Sequence, residues 1–211
     1  GREASLAWTL PEASFNARIL AERVQIRIEN LRLTSREWGT FRGDLDFDRQ
    51  LGAIPNGSVR LKDFPLEKII NPWAGGRLQE HMPVSGRVNW NRVPGEAPWS
   101  FQFDLEAADW NLREGRPFGG VKNLGTRGRV RLIWDPVRQA VEGEGNQRLS
   151  RGTISPQGWL VRFSEAPLTL AWKGRLTYGN GLPSATGSVR GCSSLLGRWE
   201  AFGHLSWGEE P

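Results

Sequence analysis

The stretch "GRVNWNRVPGEAPWSFQFDLEA", residues 86–107, decides how the rest of the chain reads. Val88 and Trp90 alternate with Arg87, Asn89 and Asn91. After a Pro94-Gly95 turn signal, Trp99, Phe101, Phe103 and Leu105 alternate with Ser100, Gln102, Asp104 and Glu106. Successive side chains of a strand point to opposite faces, so a period of two gives each segment one apolar and one polar face. The stretch therefore predicts two strands joined by a turn.

The same form recurs. "GDLDFD" (43–48) sets Leu45 and Phe47 against Asp44, Asp46 and Asp48. "GRVRLIWD" (128–135) groups Val130, Leu132 and Trp134; "GRLTYG" (174–179) pairs Leu176 with Tyr178, and "GHLSWG" (203–208) pairs Leu205 with Trp207. The leading glycines Gly43, Gly86, Gly128, Gly174 and Gly203 are separated by 43, 42, 46 and 29 residues, a weak repeat of about 43 residues. "VQIRIE" (24–29), "GSVRLKD" (57–63), "WLVRF" (159–163), "LTLAW" (168–172) and "GSVRG" (187–191) continue the series. Pro55-Asn56-Gly57, Asp135-Pro136 and Gly179-Asn180-Gly181 read as turns between them.

One segment departs from the pattern. "DFPLEKIINPWAG" (63–75) places Leu66, Ile69, Ile70 and Trp73 at helical spacing, with Pro65 suited to a first turn and Asp63 to a cap. It predicts a short helix against the sheet, ended at Asn71-Pro72 or shortly after. "SFNARILAERV" (14–24) fits either a second turn of helix or a strand.

Composition supports short strands and many turns. There are 26 Gly, 13 Pro, 11 Trp and 9 Phe against a single Tyr. The net charge of +5 favours anionic partners in general, but the basic residues are scattered without a run of five, so no nucleic-acid partner is expected. The single Cys192 excludes an internal disulfide, and no apolar stretch reaches the roughly 18–20 residues of a membrane helix. The chain does not begin with Met and is expected to be a processed form or an excised segment, with any membrane anchor outside it.

Catalytic patterns are scarce, and the chain reads as non-enzymatic. His81 and His204 lie far apart, with His204 on the polar face of its strand. Cys192 has neither a nucleophile-elbow glycine pattern nor a local histidine and reads as a small buried residue. Asp44, Asp46 and Asp48 open like a calcium loop, but Arg49 stands where the turn glycine belongs and Pro55 where the bidentate glutamate belongs. Glu142 and Glu144 in "VEGEGN" sit too close in sequence for an opposed glycosidase pair and read as an exposed loop. "GGVKNLGTRG" (119–128) lacks the phosphate-loop lysine pattern, and no cofactor or metal is expected.

The tryptophans are the informative set. They take apolar strand positions, which fits a bulky two-sheet core, an open groove for acyl chains, or a surface for stacking on sugars. The link "GSVRLKDFPLEKIINPWAGG…PVSGRVNW" (57–90), with its glycine-led strands, resembles the AsmA/TamB/YdbH-like envelope proteins. Asp63, Phe64, Pro65 and Leu66 stand for that family's "dlPl" segment, and Gly86, Arg87 and Val88 for its next strand; the resemblance spreads over roughly residues 20–210. It implies a long twisted sheet with an apolar face that shields phospholipid or other acyl-lipid tails, in the cell envelope and periplasmic, alongside membrane-embedded envelope proteins. The soluble part of a type II secretion N-type assembly protein is a competing resemblance, and the repeat length is similar to that of WD propellers.

The expectation is one elongated domain over residues 1–211. It is all-β and mainly antiparallel, a twisted or curved sheet or groove-like sandwich with one or two short helices. Leu45, Phe47, Val88, Trp90, Phe101, Phe103, Val130, Trp134, Leu176 and Tyr178 are the candidates for a lipid groove. A carbohydrate-binding or scaffold β-sandwich is the alternative.

Overall fold

In the computed structural model the alternation of residues 86–107 becomes two adjacent antiparallel strands, and the same arrangement repeats along the chain. The structure describes residues 2–10, 12–49, 53–70, 82–92, 97–115, 119–155, 160–179 and 182–206. The strands are β1 (Arg2–Leu10), β2 (Ala13–Ala21), β3 (Gln25–Ser35), β4 (Gly39–Asp48), β5 (Ala53–Pro65), β6 (Pro83–Arg92) and β7 (Trp99–Gly115). They continue with β8 (Gly119–Asp135), β9 (Ala140–Ser155), β10 (Val161–Arg162), β11 (Leu168–Gly179), β12 (Leu182–Ser193) and β13 (Gly197–Ser206). A single turn of helix, α1 (Glu67–Ile70), follows β5.

All thirteen strands form one sheet. They lie side by side in chain order, each antiparallel to its neighbour; only β10 leaves the path, pairing with β9, which runs on to β11. Directly opposed residues of antiparallel strands project from the same face, so the register assigns each paired residue to a side. Ile28, Leu45, Gly57, Trp90, Phe101, Leu132 and Gly143 form one cross-strand row. One residue further along, Arg27, Asp46, Asn56, Asn91, Ser100, Ile133 and Glu142 form a row on the other side. Over the described rows one face is mainly apolar and the other mainly polar, with Leu20, Ile133 and Phe202 as apolar residues on the polar side.

The sheet is open and curved, and the described residues add no second layer to it. Its accessible surface is 14873 Å², against about 9,800 Å² for a compact chain of 23.7 kDa. No large side chain among the described residues is fully buried. Packing concentrates in two small clusters on the apolar face. Phe64, Val84 and Ala107 form one, with Phe41, Leu61 and Leu66 against it; Val121, Leu124 and Phe163 form the other, and Trp110 packs on both. Here residues beside the connections are tied to the sheet. The Leu66 N–H donates to the Met82 carbonyl at 3.1 Å, and the Met82 N–H to the Glu67 carboxylate at 2.9 Å. The Phe163 N–H donates to the Gly152 carbonyl at 3.0 Å, tying down the segment after β10.

Of the two expected forms, the single meander takes the curved sheet and not the two-sheet sandwich. The glycines of the 43-residue repeat, Gly43, Gly86, Gly128, Gly174 and Gly203, lie in β4, β6, β8, β11 and β13. These are alternate strands of the path, so the repeat is one hairpin step of the sheet.

Several local expectations are corrected. Residues 13–21 are strand β2, the strand alternative of the two readings open for 14–24. Asp63 does not cap α1: it sits inside β5 at φ 53, its N–H donating to Ser85 Oγ at 3.0 Å. Pairing of β5 with β6 continues to Pro65↔Pro83, which keeps that backbone in the sheet until just before the helix. The side chains of Ile69 and Ile70, and Asn71, Pro72, Trp73 and His81, lie outside the described residues. Pro55-Asn56-Gly57 is strand rather than turn; the β4–β5 register shifts between Asp46 and Asp48, an irregularity of the kind that tolerates a proline. "LTLAW" and "GRLTYG" are one strand, β11, whereas "WLVRF" contributes only Val161–Arg162, with Trp159 outside the described residues. Glu142 and Glu144 lie in β9 and not in a loop, because Gly143 and Gly145 are ordinary ladder positions there. Cys192 is exposed: it pairs with Thr169 and Arg198 on the polar face, one residue out of phase with the buried Gly191 and Ser193. The Asp135-Pro136 turn forms, its carboxylate accepting the Val137 and Arg138 N–H groups at 3.0 and 3.1 Å. Pro94-Gly95, Asn180-Gly181 and Trp207 lie outside the described residues.

Candidate ligand-binding face

Nine of the ten groove candidates share the apolar face. Val88, Phe103 and Val130 form one row, Trp90 and Phe101 sit in the next with Leu45, and Trp134 and Leu176 meet through Val141. Phe47 stands opposite Ile26 at the end of β4. Tyr178 is placed by its backbone alone, opposite Pro183. Most of the nine are half-buried, and Trp134 is 42% exposed. The register adds Ile26, Ile28, Val59, Leu132, Val141, Trp172 and Val189 to the same face. Their signal was the same alternation, spread over more strands than the candidates sampled.

The structure gives the tryptophans a specific neighbour. The Trp90 ring lies over Gly57, and its indole N–H donates to the Ile54 carbonyl at 2.9 Å. Trp172 covers Gly143 and Gly145 of the adjacent strand, and Trp199 covers Gly191. A glycine in a strand leaves bare backbone, and a large flat ring from the next strand fills that space and shields the ladder. This explains why the chain is rich in both residue types. Trp99 stacks on Phe101 with ring centroids 6.3 Å apart and carries the Arg92 guanidinium 5.4 Å from its centroid. Between the Trp172–Val189–Ala201 row and the Val141–Leu176–Ala185 row, Gly143 opposes Gly174, Gly174 opposes Gly187, and Gly187 opposes Gly203. A Cβ at Gly203 would meet nothing within 4 Å. Beyond Gly143, which Trp172 covers, Gly174, Gly187 and Gly203 form a short lane of backbone between apolar borders.

The polar face is laced with ion pairs between exposed side chains, among them Arg27–Asp46 at 3.0 Å, Arg175–Glu142 at 3.7 Å and Arg190–Glu200 at 2.7 Å. The charged rows border an open hollow of about 550 Å³ lined by Arg131, Ile133, Glu142, Lys173, Arg175 and Phe202. Sequence periodicity gave no sign of it. Among the described residues no cluster of three or more His, Cys, Asp or Glu is arranged to hold a metal ion. No described helix is long and apolar enough to cross a membrane.

At the β1 edge, Arg18 Nε donates to Glu3 Oε1 at 2.7 Å, and this charged hydrogen bond holds the Glu3 carboxyl below its ordinary value. A depressed carboxylate pKa stabilises the folded state above the ordinary value, and that contribution fades as pH falls through the folded value. An NMR titration of Glu3 is expected to show the low midpoint, and R18Q to return it to the usual glutamate range. An unchanged midpoint in R18Q would contradict the assignment.

The fold thus defines a class: a one-layer antiparallel meander with an apolar and a polar face. Compared with protein-family models, curated proteins and solved structures, the chain matches none.

Proposed function

We propose that this chain is a non-enzymatic lipid-shielding protein of the cell envelope, holding acyl tails along its apolar face and contributing to lipid transport or outer-membrane biogenesis. The carrying observation is an apolar face that runs across the sheet with no second layer over it among the described residues. Exposed apolar surface on this scale is unfavourable in water and marks a binding surface. Each tail methylene removed from water contributes about 0.8 kcal/mol, so a tail of ordinary length supplies useful affinity without any polar contact. The glycine lane favours a thin, flexible chain over a side-chain-bearing protein surface, because its floor offers no knobs to interlock with. Phospholipid heads would stay in solvent, where Arg92 at the border of the face is one cation within reach.

The test is lipid carriage. Purified protein is expected to release phospholipid on native mass spectrometry and to bind a fluorescent fatty acid. F103D puts a carboxylate in the middle of the Val88–Phe103–Val130 row and is expected to lose both signals while its circular dichroism stays β-rich. A folded F103D protein that carries lipid as before would sink the reading.

A further inference from the structure

The polar face carries a second feature that the lipid reading does not use. Arg32 of β3 stands directly opposite Arg42 of β4, Arg42 opposite Arg60 of β5, and Arg60 opposite Arg87 of β6. With adjacent strands about 4.8 Å apart, four guanidinium side chains stand in file over about 14 Å. All four are exposed, and none forms an ion pair among the described residues. Like charges directly opposed across strands are unfavourable. Elsewhere on this face several arginines are balanced, as at Arg129–Asp104 and Arg190–Glu200, and the one other opposed pair, Arg127 and Arg148, does not extend into a file. Asp104 ends the file opposite Arg87, yet its carboxylate turns to Arg129 at 3.5 Å.

We propose that this arginine file binds an acidic polysaccharide, a glycan chain carrying carboxylate, phosphate or sulfate groups. Guanidinium groups bind such oxyanions through paired N–H donors, and a file of them suits a linear polyanion better than a single ion. The flanking rows select among polyanions. One pleat away lie Ser58, Asn89 and Gln102, then Asn56, Asn91 and Ser100, amides and hydroxyls suited to sugar hydroxyls. Ser58 Oγ already donates to Asn89 Oδ1 at 2.7 Å, which engages the amide oxygen and leaves the amide N–H groups as donors. Asp44 shares the first flank, its carboxylate accepting the Asn30 N–H at 2.9 Å, and Lys62 adds a cation on the other side. The polar face of β3 to β6 bears no aromatic ring for stacking bases and no apolar anchor for a bilayer, which disfavours nucleic acid and a membrane surface. The inference is independent of the lipid reading, because it concerns the opposite face.

The probe is a hexamer of galacturonic acid, with a glucose hexamer and an inorganic polyphosphate of similar charge as comparisons. Binding to the uronic acid chain is expected, weakening with added salt, and stronger than to either comparison. The double variant R42Q/R60Q is expected to lose at least about tenfold in affinity. R148Q/R198Q removes the same charge from the same face outside the file and is expected to change affinity by less than about twofold. Equal losses in the two double variants would reduce the effect to net charge and overturn the site. Polyphosphate or anionic phosphatidylglycerol vesicles bound through the file as well as the uronic acid chain would overturn the glycan assignment. No binding of the uronic acid chain by the folded wild type would overturn it as well.

Discussion

Replacing Phe64 by alanine is expected to lower the free energy of unfolding by about 3–5 kcal/mol. Phe64 is only 7% exposed and sits at the centre of the cluster formed with Val84 and Ala107. Its ring meets Phe41 edge-on at 5.2 Å and Trp38 at 6.0 Å between centroids. In a layered protein such a loss would be shared by a large core. Here the described chain packs its buried apolar side chains in small patches, and removing one large ring leaves a cavity that little surrounding mass can refill. Total stabilities are usually 5–15 kcal/mol, so the loss is a large share. Urea unfolding followed by tryptophan fluorescence measures it. The control is F202A: Phe202 is 78% exposed on the polar face, and its removal is expected to shift stability by no more than about 0.5 kcal/mol. An F64A protein as stable as F202A would show that the cluster does not hold the sheet.

Gly86→Ala is expected to be comparably damaging, at about 3 kcal/mol or more. Gly86 has φ 145, a conformation that side-chain-bearing residues rarely adopt, and an added Cβ would collide with the Asp104 carbonyl oxygen and crowd Leu105 Cα. Both obstacles are backbone of the neighbouring strand, so relief requires β6 and β7 to separate. The position also borders the register shift between Leu61 and Phe64 that admits the chain to α1. Gly203 provides the contrast. It belongs to the same glycine-led repeat, but its Cβ would point into open space and its φ is not positive. Gly203→Ala is therefore expected to be neutral or stabilising by up to about 1 kcal/mol. Thermal melts of the two variants separate the predictions, and equal effects would mean that the repeat glycines serve one common purpose.

That contrast marks the limit of the repeat as read from sequence. Five glycines that look alike there differ in their surroundings once the strands are aligned. The alternation in residues 86–107 was enough to place Val88, Trp90, Phe101 and Phe103 on one side, because side-chain direction along a strand is a local property with a period of two. Positions with bulges resisted the same reading. Asn30 and Asp63 have positive φ and the register slips beside them, so alternation breaks where the chain is still in the sheet. Pro55 and Glu142 looked like turn and loop for a related reason: a proline or a glycine-flanked acid is legible as a local preference, and ladder pairing overrides that preference.

By itself, then, the sequence determined an all-β antiparallel chain, the apolar identity of one face and most of the residues on it. The tertiary structure alone decided that the described strands form one sheet, that Trp90 and Trp172 shelter glycines of adjacent strands, and that four arginines from separate strands stand in one file. The physical reason is that periodicity is written within a strand, whereas register and layering depend on which strands become neighbours and how far each slides before its hydrogen bonds close.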